Sequence, residues 1–247
     1  MQPLNSNTQT PVYLIGDVHG CFNTLLALID TLPQNDKATF IFVGDVIDRG
    51  TYSAHIIDWI IHNGHTCLMG NHEAMMLETL THPSDTALMD LWKRNGEEEA
   101  LKSYKDFEAS TLTHHLDWIR SLPNYCESSI TDENQKRLFV THGFGLPYWL
   151  GRNKHENQVR FRVNRLHKVS NSPSVQHHYR YEPNYLEYPI FNVFGHDAFQ
   201  EPILTQSYAA IDTGCVYASF PTNKEVGGRL SALEWPSKKI YSHPYVG

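Results

Sequence analysis

Three short blocks in the first third of the chain each follow an apolar run and carry side chains that bind metals or phosphate. The runs are residues 12–15, 40–43 and 66–69, and the blocks that follow them are G-D-V-H-G, G-D-V-I-D-R-G and G-N-H-E. An apolar run of this length that ends at a turn predicts a buried strand of a mostly parallel sheet. Because such sheets bind ligands at the carboxyl ends of their strands, we expect one edge to carry the polar side chains of the three blocks: Asp17, His19, Asp45, Asp48, Arg49, Asn71 and His72.

The remaining pattern predicts a single α/β domain over residues 1–247. Apolar side chains at helical spacing predict helices over 21–32, 52–62 and 72–80, and a looser helical subdomain over 84–121. Further strands are expected at 138–141, 191–194, 209–212, 229–235 and 239–243, with the last three antiparallel. We expect residues 1–10 to be flexible and the irregular segment 146–189 to cover a site, because long irregular segments in compact enzymes often do.

The composition is that of a globular protein, and it argues against several classes of function. Hydrophobic residues make up 40% of the chain, and a net charge of −7 argues against nucleic acid as a partner. The four cysteines show no zinc-type or C-x-x-C spacing, which predicts free thiols in a cytoplasmic protein. No apolar run approaches the roughly 20 residues of a membrane span, so we expect no membrane partner.

Two later histidines complete a candidate metal site. His142 and His196 each follow a predicted strand and adjoin a glycine, and they join Asp17, His19, Asp45 and Asn71 to give six candidate ligands. This mixture of carboxylate, imidazole and amide groups suits Mn, Fe, Zn or Co better than a thiolate-seeking ion. Six ligands exceed the need of one catalytic ion, so they predict two divalent ions about 3.5–4 Å apart that share a carboxylate.

The blocks G-D-x-H-G, G-D-x-x-D-R-G, G-N-H-E, H-G and G-H, taken in this order, resemble the calcineurin-like metallophosphoesterases. The D-R-G and N-H-E forms are similar to the bacterial phosphoprotein (serine/threonine) phosphatase branch, and the resemblance runs from residue 12 to about 236. It implies a β-sandwich of two mixed sheets flanked by helices, with a small helical subdomain. It also implies two divalent metal ions, with Mn²⁺ as the first choice, and a metal-bound hydroxide as the nucleophile.

The resemblance also implies a role for each residue of the blocks. Asp17 and His19 would hold the first metal, Asp45 would bridge both, and Asn71, His142 and His196 would hold the second. His72 would be the general acid that protonates the leaving oxygen, with Asp48 orienting it, and Arg49 would clamp the phosphate. An alkoxide leaves poorly, so a positioned imidazolium next to a carboxylate suits such a reaction.

Two departures from the family pattern bear on the substrate. The second phosphate-binding arginine of the family falls in a region that carries Arg160, Arg162 and Arg165, of which Arg162 is the first choice and Arg165 the alternative. Residues 218–226 also form an apparent insertion, because bacterial relatives tend to pass directly between the flanking blocks. An added loop there would overhang the site and affect the choice of substrate.

Three functions fit these residues. The D-R-G and H-E forms favour a phosphoprotein phosphatase with a phosphorylated protein or peptide as partner, acting on phosphoserine, phosphothreonine and also phosphotyrosine. The blocks around Asp17 and Asp212 resemble the symmetrical diadenosine tetraphosphate hydrolases, although those enzymes usually lack the aspartate at the Asp48 position and have Asp in place of Glu73. An inactive binding module would show a missing ligand, and all six are present.

Overall fold

The fold is described from a computed structural model that places residues 10–166, 168–169, 178–179, 183–220 and 225–247. The predicted flexible start lies outside these residues except for Thr10. The central part of the predicted irregular segment 146–189 also lies largely outside them. Residues 221–224 of the predicted insertion lie outside them as well.

The strands follow the predicted apolar runs closely. In chain order they are β1 (Val12–Ile15), β2 (Thr39–Phe42), β3 (Thr66–Cys67), β4 (Tyr125–Thr131), β5 (Arg137–Thr141), β6 (Lys168–Val169), β7 (His178–Tyr179), β8 (Ile190–Phe194), β9 (Ile203–Leu204), β10 (Tyr208–Ala210), β11 (Arg229–Trp235) and β12 (Ile240–Pro244).

The helices lie between the first strands and in the stretch that was predicted to be helical. They are α1 (Phe22–Thr31), α2 (Ser53–His62), α3 (Asn71–Thr81), α4 (Thr86–Lys93), α5 (Glu97–Lys102), α6 (Ala109–Ser121) and α7 (His155–Val163). Short 3-10 turns occur at Leu146–Gly151, Pro183–Glu187 and Cys215–Ser219.

Two mixed five-stranded sheets form the framework. The first has the order β12-β11-β1-β2-β3, in which β1, β2 and β3 run parallel and β11 and β12 are antiparallel neighbours. The second has the order β4-β5-β8-β10-β9, with β5, β8 and β10 parallel to one another. This is the predicted α/β architecture of two mixed sheets flanked by helices.

The near-continuous apolar runs follow from burial on both faces of the first sheet. In β1, Val12 and Leu14 pack toward the second sheet, whereas Tyr13 and Ile15 pack in the core that contains α1 and α2. Successive side chains of a strand point to opposite faces, so a strand buried on both sides needs apolar residues at every position. A third core lies on the far side of the second sheet and includes Phe161 of α7.

Three expectations about elements need correction. The strand at 209–212 was expected to be antiparallel, but β10 pairs in parallel with β8 and only its partner β9 is antiparallel. The strand β4 was not predicted, because its sequence Y-C-E-S-S-I-T has few apolar residues. The helix α7 lies inside the segment that was expected to be irregular, and only Phe161 is buried among its nine residues, which leaves no apolar stripe to detect.

Candidate active site

The loops at the carboxyl ends of the parallel strands bring the predicted residues together. Asp17 and His19 follow β1, Asp45 follows β2, and Asn71 is the first residue of α3 after β3. The second sheet contributes through β5 and β8, which lead into His142 and His196. The site therefore lies where the ends of the two sheets meet.

Asp45 is at the centre of this arrangement. Its Oδ2 atom lies 3.2 Å from Nε2 of His142 and 3.8 Å from the Nε2 atoms of His19 and His72. Burial alone would raise the pKa of Asp45, but the surrounding imidazoles, His142 first, hold it well below its usual range. Asp45 is therefore ionised, and one carboxylate oxygen faces three imidazole nitrogens.

The backbone fixes how two of these imidazoles face the centre. Nδ1 of His19 lies 2.9 Å from the carbonyl oxygen of Ile47, and Nδ1 of His142 lies 3.2 Å from that of Val43. A carbonyl can only accept, so each ring carries a proton on Nδ1 and directs Nε2 toward Asp45. Burial holds the pKa of His19 well below its usual range, which keeps this imidazole neutral as a metal ligand must be.

Asp17 supplies an independent test of whether a cation fits here. Its Oδ2 accepts a hydrogen bond from the backbone of His196 at 3.1 Å, whereas its Oδ1 is buried and has no hydrogen-bond partner among the described residues. Burial and the nearby charges of Asp212 and Asp45 raise the pKa of Asp17 well above its usual range. A divalent cation bound beside Oδ1 would satisfy this atom and neutralise the carboxylates, so the site fits a metal.

Among the residues that the structure describes, two groups of side chains have metal-binding geometry, and they share Asp45. One contains His19, Asp45 and His72, the other Asp45, His142 and His196, and in each the candidate ligand atoms lie within 4.8 Å of one another. Asn71 joins the second group, since its Oδ1 lies 3.1 Å from Nε2 of His142. The overlap at Asp45 is the arrangement that a bridging carboxylate requires.

His72 differs from His19 and His142 because its Nδ1 faces a carboxylate and not a backbone carbonyl. Nδ1 of His72 lies 2.6 Å from Oδ2 of Asp48, and Nε1 of Trp92 donates to the same oxygen at 2.9 Å. All three side chains are buried, and the Asp48 amide donates to Ser53 Oγ at 3.0 Å. Burial raises the pKa of Asp48 against the opposing contacts of His72 and Trp92. This pair has the arrangement of an imidazole acid and its orienting carboxylate.

Arg49 connects the metal groups and the acid. Its Nη1 contacts Nε2 of His19, and its Nη2 lies 3.0 Å from Nε2 of His72. The guanidinium carbon lies 5.4 Å from the centre of the Tyr217 ring, and the Arg49 amide donates to the carbonyl of Gly96 at 2.9 Å. The Tyr217 ring and the loop between α4 and α5 thus hold Arg49 beside His19 and His72.

A polar cavity of about 140 Å³ is lined by five of these side chains, those of Asp45, Arg49, Asn71, His72 and His196. Of the two candidates for a second arginine, the alternative, Arg165, lines this cavity together with Arg49. The first choice, Arg162, lines an adjoining cleft of about 410 Å³ instead, and its Nε donates to Asn124 Oδ1 at 2.6 Å. Arg165 also forms an ion pair with Asp197. The second arginine of the cavity is therefore Arg165.

Sequence reasoning gave no role to three residues that shape the site. Glu73 accepts hydrogen bonds from the amides of Asp45, Val46 and Gly70 at 2.9, 2.9 and 3.0 Å, and burial raises its pKa to about 7. Glu73 therefore joins the second block to the third. Its position inside the third block, G-N-H-E, is the sequence signal that could have identified it. Trp92 offered no signal beyond an apolar position in a helix. Asp212 lines the cavity, and burial raises its pKa to about 6.

The backbone of the site adopts an unusual conformation. Five non-glycine residues of these loops have positive φ angles: His19 at 44°, Asp45 at 50°, Asp48 at 68°, Arg49 at 67° and His196 at 71°. This left-handed region is sparsely populated by residues with a side chain and costs of order 1–3 kcal/mol each. The loops keep it because contacts such as those of Glu73 hold them.

One glycine of the blocks is required by close packing. A Cβ atom at Gly195 would collide with Oδ1 of Asp17, the atom that lacks a partner. The glycine therefore leaves space at the edge of the metal groups, next to His196. The predicted insertion begins after Tyr217, whose ring lines the cavity.

Comparison with known proteins agrees with this geometry. The family model described as calcineurin-like phosphoesterase matches residues 10–209. The chain is 27% identical over 257 residues to proteins named bis(5'-nucleosyl)-tetraphosphatase PrpE [asymmetrical] from Bacillus thuringiensis and Bacillus cereus, covering 94% of this chain and 93% of each relative.

Two solved structures share the fold. A protein provisionally named a diadenosine tetraphosphatase superposes with a TM-score of 0.64 at 22% identity, over 100% of this chain and 97% of that one. A serine/threonine phosphatase from Saccharomyces cerevisiae superposes with a TM-score of 0.58 at 16% identity, over 98% and 82% of the two chains. In the part of the chain that is described, we find no helix with the length and apolar character needed to cross a membrane.

Proposed function

Because the chain belongs to the calcineurin-like phosphoesterase family, in which divalent metals serve phosphoester hydrolysis, we propose that it is a dinuclear metal hydrolase that cleaves dinucleoside tetraphosphates. The observation that carries the chemistry is the position of Asp45. Its Oδ2 lies within 3.8 Å of three imidazole nitrogens, in a cavity that two arginines also line.

The proposed metal ligands are the members of the two groups that share Asp45, except His72, together with Asp17 and Asn71. Asp17 and His19 would hold one ion with Asp45, and Asn71, His142 and His196 would hold the other. Two divalent ions bound there would activate water and polarise the phosphoryl oxygens. Mn²⁺ is the proposed metal, because carboxylate and imidazole ligands suit it and the described cysteines lie outside both groups.

The other polar groups of the cavity would act on the phosphate and on the leaving oxygen. Arg49 offers two parallel N–H donors, which match two oxygens of one phosphate group, and Arg165, which lines the same cavity, would supply a further contact. His72 would give a proton to the oxygen that leaves phosphorus, with Asp48 and Trp92 holding its ring. Nε2 of His72 faces the cavity at 3.8 Å from Asp45, so it is placed for this transfer.

The substrate class rests on the relatives. Proteins similar over 94% of this chain carry the name asymmetrical bis(5'-nucleosyl)-tetraphosphatase, which denotes cleavage to a mononucleotide and a nucleoside triphosphate. The sequence favoured a protein phosphatase first and the symmetrical cleavage second. The name of these relatives agrees with the second alternative about the substrate, a dinucleoside tetraphosphate. It differs from that alternative about which phosphate anhydride bond is cut.

Protein phosphatase activity is the second candidate, and one observation favours it. The buried His72–Asp48 pair, at 2.6 Å, is suited to protonate a poor leaving group such as the alkoxide of serine or threonine. A phosphate anhydride releases a better leaving group and needs this proton less. The alternative therefore predicts phosphate release from phosphorylated peptides by the same cavity.

One assay separates the candidates. Protein stripped by a chelator and reloaded with Mn²⁺ is incubated in parallel with diadenosine tetraphosphate and with a panel of phosphoserine, phosphothreonine and phosphotyrosine peptides. We expect AMP and ATP from the dinucleotide, no phosphate from the peptides and no turnover by the stripped protein. Phosphate from the peptides with the dinucleotide intact would establish the protein phosphatase instead, and full activity without metal would refute the metal mechanism.

A further inference from the structure

The cleft that adjoins the catalytic cavity has no part in the chemistry proposed above. It lies between α3, α4 and α7, and at about 410 Å³ it is much larger than the cavity of about 140 Å³. The two spaces share four lining residues, namely Asn71, Asn95, Arg165 and His196. A molecule with one phosphate group in the cavity can therefore extend directly into the cleft.

The walls of the cleft are mainly apolar. Met75 of α3 and Leu91 of α4 line one side, and Val159 and Val163 of α7 line the other. Leu91, Val159 and Val163 are 41%, 44% and 46% exposed, so three large apolar side chains are left open to solvent around one concave space. A ligand that covers them gains the free energy of removing apolar surface from water.

Polar groups stand at the edge of these walls. Arg162 is held by the bond from its Nε to Asn124 and lines the same cleft as Glu78 of α3. One group is a donor and the other is an acceptor, and they flank an apolar space. A flat heteroaromatic ring has this combination, with apolar faces and a polar edge that both donates and accepts.

We propose that this cleft binds the nucleoside that is bonded directly to the phosphate in the catalytic cavity. The inference rests on the proposed function and deepens it. The volume lies within the range of about 300–1,000 Å³ that is usual for small-ligand sites. A phosphorylated serine side chain carries only a methylene group beyond the phosphate and would leave the apolar walls uncovered.

The placement determines which bond is cut. Because cavity and cleft share lining residues, the phosphorus at the centre is the one attached to the nucleoside. The oxygen of water bonds to this phosphorus, the bond to the oxygen that bridges to the next phosphorus breaks, and that oxygen leaves as part of the triphosphate. Diadenosine tetraphosphate and one water molecule thus give AMP and ATP, and no oxidant or further reactant is needed.

The binding test uses the Mn²⁺-loaded protein with AMP and inorganic phosphate as probes, measured by calorimetry. In the unaltered protein we expect AMP to bind at least about 10-fold more tightly than phosphate, since one well-placed apolar group is worth about 1–3 kcal/mol. The double variant L91Q/V159Q makes the two walls polar without adding charge. It should reduce the AMP-to-phosphate affinity ratio by about 10-fold.

The control is the double variant L204Q/V246Q, which changes a leucine and a valine of similar exposure, 47% and 45%, outside the cleft. It should keep the ratio of the unaltered protein. Equal affinity of that protein for AMP and phosphate would overturn the proposal, as would an L91Q/V159Q variant with an unchanged ratio. A phosphopeptide that displaces AMP and binds more tightly would assign the cleft to a peptide instead.

The products of the dinucleotide give a second, separate readout. AMP with ATP is expected, and two molecules of ADP would overturn the placement of the nucleoside. If the protein leaves the dinucleotide intact yet prefers AMP to phosphate, and L91Q/V159Q abolishes that preference, the proposed function fails and the nucleoside site stands. The two proposals can therefore fail independently.

Discussion

The candidate site is built from two regions of different kinds, the loops at the strand ends and the helical stretch from α4 to α6. The strand-end loops supply every proposed metal ligand, and they are marked by glycine-rich blocks in the sequence. The helical stretch supplies no ligand, yet it places Trp92 against Asp48 and the carbonyl of Gly96 against the amide of Arg49. The difference teaches that motifs reveal the proposed ligands and the groups next to them, such as Glu73, whereas the supporting groups of the helical stretch have no motif.

The largest effect is expected at the proposed metal centre, whose ligands come from the strand-end region and not from the helical stretch. Replacing Asp45 by Asn removes the shared negative charge from both groups of ligands. Mutating a hydrogen-bond partner of a metal ligand typically lowers metal affinity by about 10–100-fold. Asp45 would itself bind both ions, so its loss should lower metal affinity by more than about 100-fold and abolish turnover. Metal content after dialysis, measured by atomic emission, checks this. Two tightly bound ions in D45N would contradict the assigned bridge.

The second-largest effect concerns His72, the proposed acid. Its ring contacts Asp48 of a strand-end loop, and Asp48 is bonded in turn by Trp92 of the helical stretch. Replacing His72 by Asn should lower kcat by about 10²–10⁴-fold on a substrate with a poor leaving group, because the proton donor is lost. The loss should be much smaller on p-nitrophenyl phosphate, whose leaving group needs no proton. Metal content should stay unchanged. A loss of the same size on both substrates would mean that His72 serves mainly as a ligand.

The helical stretch should add its own contribution to the pH dependence of stability, through His115. His115 of α6 is fully buried, and burial lowers its pKa from 6.5 to about 4, opposed by Asp58 of α2 at 4.0 Å and reinforced by His114. The unfolded chain takes up this proton first, so the stability that His115 contributes is lost as the pH drops from 6.5 toward 4, by about 3 kcal/mol for this group.

Urea denaturation across this pH range, with two matched variants, measures this contribution. Tyr104 lies 3.0 Å from Nδ1 of His115, and H115Q keeps a polar group there while removing the titration. The variant should show a flatter profile, whereas H114Q, at the adjacent exposed position, should change the profile only slightly, because burial is the main cause of the lowered His115 pKa. An H115Q profile parallel to that of the unaltered protein would show that other groups cause the pH dependence.

The smallest effect tests the contact between the two regions. Trp92→Phe keeps the apolar ring but removes the donor to Asp48, a bond to a charged group worth about 1.5–3 kcal/mol. We expect a loss of stability of about 2 kcal/mol and a decrease in kcat with metal content unchanged. Trp118→Phe, on α6, is the matched control and should retain kcat. Equal kinetics of both variants would show that Trp92 only packs.

The sequence could predict the features that depend on neighbouring residues, but it could not predict contacts between residues far apart in the chain. The bounds of β1 and β11 were predicted to the residue, because an apolar strand ends at a turn in each case. The contact of Trp92 with Asp48 joins residues 44 positions apart, so no local pattern encodes it. The sequence ranked Arg162 before Arg165, whereas Arg165 lines the cavity, because α7 ends at Val163 and the chain is extended beyond it.

The left-handed backbone at His19, Asp45, Asp48, Arg49 and His196 has a consequence for evolution. Each of these residues adopts a conformation that glycine or asparagine would adopt with less strain, so the native side chains persist at a cost to folding of about 1–3 kcal/mol each. Glycine at position 49 would relieve this strain but remove the proposed phosphate clamp. Glycine at position 48 would relieve it too, but Nδ1 of His72 and Nε1 of Trp92 would lose their buried partner. The strained conformation is therefore tied to the side chains that the chemistry needs.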